Sequence, residues 1–294
     1  MNATNHSIWR ISLARRMAPD FIANPKVGAA FVFGSAALGF SDQYSDLELG
    51  FVWSELPSAS ELQATAQRVG VRNWQIESYG ATGQAWLEQY DLDGMKVEAG
   101  HWASTTLDGI VTDVVERYDV TQQGLLFEKQ TVASHLQNAV VLHGEALINR
   151  WQDQLSPYPE ELAVAMVQQQ LKFRPFHGQE ILAERNEIPL LYENHSAIVR
   201  WLLNLLFGLN RIYHPGFKWT SYWVNAMALK PPDLFQRLER VFQSDAISGT
   251  RELGQLVQET FDLVEQHLPQ VDLTPQRTTF SQLYPRWKLP NNYA

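Results

Sequence analysis

Two apolar runs near the start of the chain constrain its fold more than any other feature. Val27-Gly-Ala-Ala-Phe-Val-Phe33 ends at the turn Gly34-Ser35, and a second run, Asp46-Leu-Glu-Leu-Gly-Phe-Val-Trp53, follows ten residues on. In an extended strand alternate side chains project to opposite faces, so Asp46 and Glu48 share one face. Leu47, Leu49, Phe51 and Trp53 share the other, which can be buried. A third acid, Glu98, lies in another extended segment, Met95-Lys-Val-Glu-Ala-Gly100. Like charges this close on a strand repel, and a cation between them relieves the repulsion. Taken singly, Glu98 also reads as an exposed strand position partnered by Lys96 or Arg72. The turn before the acids suits an anion: Gly34 admits a close approach of phosphate, and Ser35 adds backbone N–H groups and a hydroxyl.

The surrounding pattern is strand, turn, helix, strand and hairpin. Ser58 with Glu61 three residues later forms a capping-box signature for a helix through Val69. Trp74 to Tyr79 and Ala85 to Tyr90 read as extended, and Asp93-Gly94 is a hairpin signal feeding the strand that carries Glu98. This predicts an α/β unit with a mixed sheet over residues 1–106. From Leu107 the periodicity turns helical, punctuated by Pro157, Pro175, Pro189, Pro215 and Pro231-Pro232. The expectation is an all-α helical bundle over 107–268 and an irregular tail over 269–294.

Composition narrows the function. The 294 residues carry a net charge of −9, which argues against a chain whose main task is gripping a nucleic-acid backbone. With no cysteine, thiolate zinc sites and thiol nucleophiles are excluded, and a reducing cytoplasm is the expected setting. No run approaches the ~20 apolar residues that span a bilayer. Arg10, Arg15 and Arg16 are not followed by an apolar signal region, so no secretion signal is expected. The histidines are scattered, without the helix-face spacing of a zinc site.

Gly34-Ser35, Asp46-Leu-Glu48 and Val97-Glu98-Ala99 together resemble the signature of the DNA polymerase β-like nucleotidyltransferase superfamily. The likeness covers roughly the first 105 residues. The later segment Leu209-Asn-Arg-Ile-Tyr-His-Pro-Gly-Phe-Lys-Trp219 is similar to one in two-domain bacterial members related to aminoglycoside and lincosamide nucleotidyltransferases. The resemblance implies a Mg²⁺-dependent transfer of AMP from ATP to a hydroxyl of a small, antibiotic-like acceptor, with release of pyrophosphate. It assigns Asp46, Glu48 and Glu98 to two magnesium ions, Glu98 also serving as a candidate general base, and Gly34, Ser35 and Lys218 to the nucleotide. Glu48 departs from the commoner Asp, and Gly39 stands where many relatives carry Arg-Gly. Modification of a protein or an RNA, or a non-catalytic regulator on the same fold, are the alternatives.

Overall fold

The computed structural model describes residues 3–79, 85–124 and 127–287. The chain divides into two compact units, Met1–Tyr158 and Pro159–Ala294. The first holds helices α1 (Asn5–Ile22), α2 (Gly34–Leu38), α3 (Ala59–Val69), α4 (Ser104–Val115), α5 (Glu128–Gln137) and α6 (Glu145–Gln154). Its strands are β1 (Val27–Phe33), β2 (Leu47–Trp53), β3 (Arg72–Tyr79), β4 (Ala85–Leu92), β5 (Met95–Ala103) and β6 (Val140–His143). They form one sheet in the order β3-β4-β5-β2-β1-β6, with β2 and β5 parallel and all other neighbours antiparallel. The mixed sheet expected from the sequence is therefore present.

Local signals account for most of these elements. The Ser58 hydroxyl accepts from Glu61 N, and the Glu61 carboxylate accepts from Ser58 N, which starts α3. Asp93 and Gly94, both at positive φ, make the tight turn between β4 and β5. One face of the sheet is covered by α1: Leu13, Ala14, Met17 and Phe21 pack on Leu47, Leu49, Phe51, Trp53, Val97 and Ala99. Phe21 stacks on Phe51 with ring centroids 4.4 Å apart. The opposite face carries Glu48 and Glu98.

The first unit runs on past residue 106, through β6 and α6, to Tyr158. Strand β6 has no counterpart in the sequence reading. Val140-Val-Leu-His143 is four residues of half-exposed edge strand, too short to show a period-2 pattern, and only its pairing with β1 reveals it.

The second unit is helical: α7 (Glu160–Gln170), α8 (His177–Glu184), α9 (Ile188–Leu209), α10 (Thr220–Ala226), α11 (Leu234–Gln243), α12 (Ala246–His267) and α13 (Thr274–Phe280). Pro189 does not end a helix but lies in the first turn of α9, where its missing N–H has no intrahelical partner to lose. The tail expected to be irregular contains α13, which Pro275 likewise opens and which buries Gln276 and Phe280. Residues 288–294 of that tail lie outside the described residues. Among the described residues, no helix is long and apolar enough to cross a membrane.

Candidate functional site

Register places the acids. Glu48 on β2 pairs with Glu98 on the parallel strand β5, with Phe33 on β1 on one side and Gln89 on β4 on the other. One row across four strands thus reads Phe33, Glu48, Glu98, Gln89. The next row places Gly50 beside Gly100, and both glycines are needed. A β-carbon at Gly50 would fall 2.2 Å from the Phe31 ring, and one at Gly100 would fall 2.1 Å from the Trp102 ring. The two rings fill the space that the missing side chains leave. Beneath the acids this gives an aromatic floor, completed by Phe33, whose ring stacks at 4.3 Å on His135 of α5.

The turn after β1 meets the acids directly. Gly34 has φ +66°, and a β-carbon there would fall 1.5 Å from Glu48 Oε2, so the carboxylate lies against the turn. Ser35 is buried, and its hydroxyl is 3.1 Å from that of Ser41, with which it shares a hydrogen bond. Asp46, half-buried, immediately precedes β2. Continuing the β2–β5 register back by one residue sets it beside Lys96.

Lys96 pairs with one of the three acids, Glu98. Its ammonium donates to Glu98 Oε1, which also accepts from Gln89 Nε2 at 3.3 Å. That bond to Glu98 raises the lysine pKa above its ordinary value; burial opposes the rise, and the charges of Glu98, Asp46 and Glu48 add to it. The expectation that Glu98 has a lysine partner is met by Lys96. Among the described residues, no three His, Asp or Glu side chains form a group placed to hold a metal ion. The positive charge among these carboxylates is the Lys96 amine.

A residue that sequence reasoning passed over holds the loop carrying Asp46. Arg10 of α1 is 4% exposed. Its guanidinium donates to the carbonyls of His6 (3.1 Å), Asp42 (3.0 Å), Ser45 (3.1 Å) and Asp46 (3.2 Å). Burial pulls the Arg10 pKa down, while Asp42 and Asp46 push it back up. The signal lay in helical spacing. Arg10 falls three residues after Ser7 and three before Leu13, on the face that α1 buries. Asp42 shapes the same loop as a turn residue, its Oδ1 accepting from Tyr44 N and Ser45 Oγ, both at 2.9 Å.

Lys218, in the second unit, is exposed in the turn before α10. A buried relay anchors the segment leading to it. Gly216 N donates to His214 Nδ1 (3.1 Å), His214 Nε2 lies 3.0 Å from Asn204 Oδ1, and Asn204 Nδ2 donates to Gln170 Oε1 (3.1 Å). Because Nδ1 accepts, Nε2 carries the proton. Arg211 pairs with Glu160 instead of facing a ligand.

Residues 125–220 match the profile of a domain of unknown function (DUF4037). A crystal structure described as a nucleotidyltransferase-like protein from Exiguobacterium sibiricum is similar at 14% identity and a TM-score of 0.37. That alignment covers 86% of this chain and 76% of the other. No curated protein matches the chain.

Proposed function

We propose that the first unit binds a nucleoside triphosphate at the Gly34 turn and transfers its nucleoside monophosphate, AMP from ATP, to a hydroxyl of a small acceptor in the cytoplasm. The observation that carries this reading is the register that sets Glu48 beside Glu98 on parallel strands, with Asp46 just before β2 and the Glu48 carboxylate against the Gly34 turn. A position that holds an ammonium beside carboxylates favours cations, and hard oxygen donors are those magnesium prefers. As they stand, no three of the described acids are placed to hold a metal ion, so a Mg²⁺ site here requires Glu98 to leave Lys96. Asp46 and Glu48 would hold the ion, with Glu98 able to complete the set, and the ion would neutralise phosphate oxygens.

The chain's own groups supply the rest. The acceptor oxygen forms a bond to the α-phosphorus, the bond from that phosphorus to the bridging oxygen breaks, and pyrophosphate leaves. Glu98, released from Lys96, takes the acceptor's proton. Lys96, so released, is free to face the phosphates. Gly34 leaves room for the Glu48 carboxylate, while Ser35, engaged with Ser41, shapes the turn. The acidic balance of the chain favours a cationic, antibiotic-like acceptor mildly.

A second reading, a nucleotide-binding or regulatory protein without catalysis, is favoured by the Lys96–Glu98 bond, which already satisfies the candidate base. Thermal-shift measurements separate the two. On the catalytic reading, ATP with Mg²⁺ stabilises the protein where neither alone does, and Asp46→Asn abolishes the effect. Labelled ATP incubated with aminoglycosides and lincosamides then yields a labelled product. Stabilisation without any labelled product supports the second reading, and no stabilisation by any nucleotide refutes the first.

A further inference from the structure

The second unit contains a cavity of about 320 Å³ that the proposed chemistry does not use. Phe173, Phe176, Trp201 and Phe280 form its walls. Phe173 meets Trp201 edge-on at 5.7 Å and Phe280 edge-on at 6.2 Å. The walls are fixed by backbone bonds: Gln276 Nε2 donates to the Phe173 carbonyl (2.7 Å), and Phe176 N donates to the Phe280 carbonyl (3.0 Å). The cavity is therefore preformed, in the size range of small-molecule sites.

Its polar groups lack partners. Gln179 Oε1 is buried with no hydrogen bond, a state that costs free energy unless something donates to it. Arg174 is exposed at the cavity and, among the described residues, makes no hydrogen bond or ion pair. The chain has a net charge of −9, yet no Asp or Glu lines this cavity. Among the described residues that line it, Arg174 is the one charged side chain, and the walls are aromatic.

We propose that this cavity is a binding site for a planar aromatic molecule carrying one anionic group and a hydrogen-bond donor. The ring packs among Phe173, Trp201 and Phe280, where edge and face contacts favour another aromatic ring over an aliphatic one. The anion meets Arg174, whose fork of N–H donors matches a carboxylate or phosphate. The donor satisfies Gln179. This site does not depend on nucleotidyl transfer, and it can stand or fall separately.

The test is saturation-transfer NMR on the full chain with indole-3-acetate, beside neutral indole and the non-aromatic anion cyclohexylacetate. Indole-3-acetate should give transfer, indole should bind more weakly, and cyclohexylacetate should give none. Arg174→Gln, at an exposed position where folding is not at risk, should weaken binding at least about tenfold, since it removes a charge-assisted pair. Trp201→Ala should do the same by removing a wall. AMP bound with the same dependence on both residues supports the site, with phosphate as its anion. No transfer from either aromatic anion up to about 10 mM, weaker than any specific site of this size should bind, overturns it. So does binding that neither variant changes.

Discussion

The Glu48 carboxylate rests on Gly34: a β-carbon on that glycine would come within 1.5 Å of Oε2 and 2.4 Å of Cδ. The glycine therefore does two things at once, adopting a left-handed backbone and leaving room for an acid from the neighbouring strand. In Gly34→Ala the backbone strain should cost roughly 1–2 kcal/mol. The steric conflict is with the end of a flexible side chain, so Glu48 should rotate away and not unfold the strand. Stabilisation by ATP with Mg²⁺ should be lost while the fold persists. Thermal unfolding with and without the nucleotide measures both effects, and undiminished stabilisation would show that the position of Glu48 is immaterial.

Arg10 converts a helix on one face of the sheet into a clamp on the loop that carries Asp46. Arg10→Met keeps the aliphatic stem packed in α1 but removes the side-chain donor to the carbonyls of Ser45 and Asp46, while Asp42 O keeps Ser45 N at 3.4 Å and His6 O keeps its place in the helix ladder. The expected loss is about 2–4 kcal/mol, because orphaned carbonyls cost more than a bond's net worth. Urea unfolding reads it directly. A change below about half a kcal/mol, the level of ordinary surface substitutions, would mean that the loop holds itself.

The legible part of this molecule is the part governed by alternation and by turn chemistry. The two faces of β2, the capping box at Ser58 and the Asp93-Gly94 turn are local patterns. Residues two or three apart decide them, so the sequence displays them. The approach of Glu98 to Glu48 was readable only as a resemblance, because the parallel pairing of β2 with β5 is a long-range contact with no local signal. Three features escaped for the same reason. Strand β6 exists only through its partner β1, and Arg10 matters only because the loop folds back onto α1. The Ser35 hydroxyl, free in the sequence reading, is bonded to Ser41. Gly50 and Gly100 each look like a weak point in a strand until the rings of Phe31 and Trp102 are seen over them.

Beneath α1 the core holds a hydrogen-bonded His–Glu pair that sequence patterning would not place there. His101 and Glu88 are both fully buried, with Nε2 and Oε2 2.7 Å apart. Trp53 Nε1 donates to His101 Nδ1 (3.1 Å), so Nε2 carries a proton, and Trp74 Nε1 donates to Glu88 Oε1 (2.6 Å). His101→Phe strands a carboxylate in the core and should cost about 3–5 kcal/mol. Replacing both partners, with Glu88→Leu added, should recover part of that loss: no carboxylate is left in the core, but Trp53 Nε1 and Trp74 Nε1 both lose their acceptors. A double-mutant cycle by urea unfolding tests this, and additive losses would show that the pair is uncoupled.

Acid should destabilise the second unit through His195. This residue is fully buried, its Nδ1 has no partner, and burial lowers its pKa from 6.5 to about 4. A base whose folded pKa lies below its unfolded value binds fewer protons when folded. Its contribution is complete above pH 6.5 and is lost as the pH falls toward 4, at up to about 1.4 kcal/mol per pH unit. His214, lowered to about 4 mainly by burial, adds to the same acid limb. His195→Leu removes one of these groups. The hydroxyl of Thr250, 3.2 Å from His195 Nε2, still donates to the Ala246 carbonyl at 2.7 Å, so little is orphaned. At pH 8 the variant should lose about 1 kcal/mol, the worth of one hydrogen bond. Near pH 5 it should be the more stable protein. Stability curves from pH 8 to pH 4.5 that cross support this account, and parallel curves contradict it.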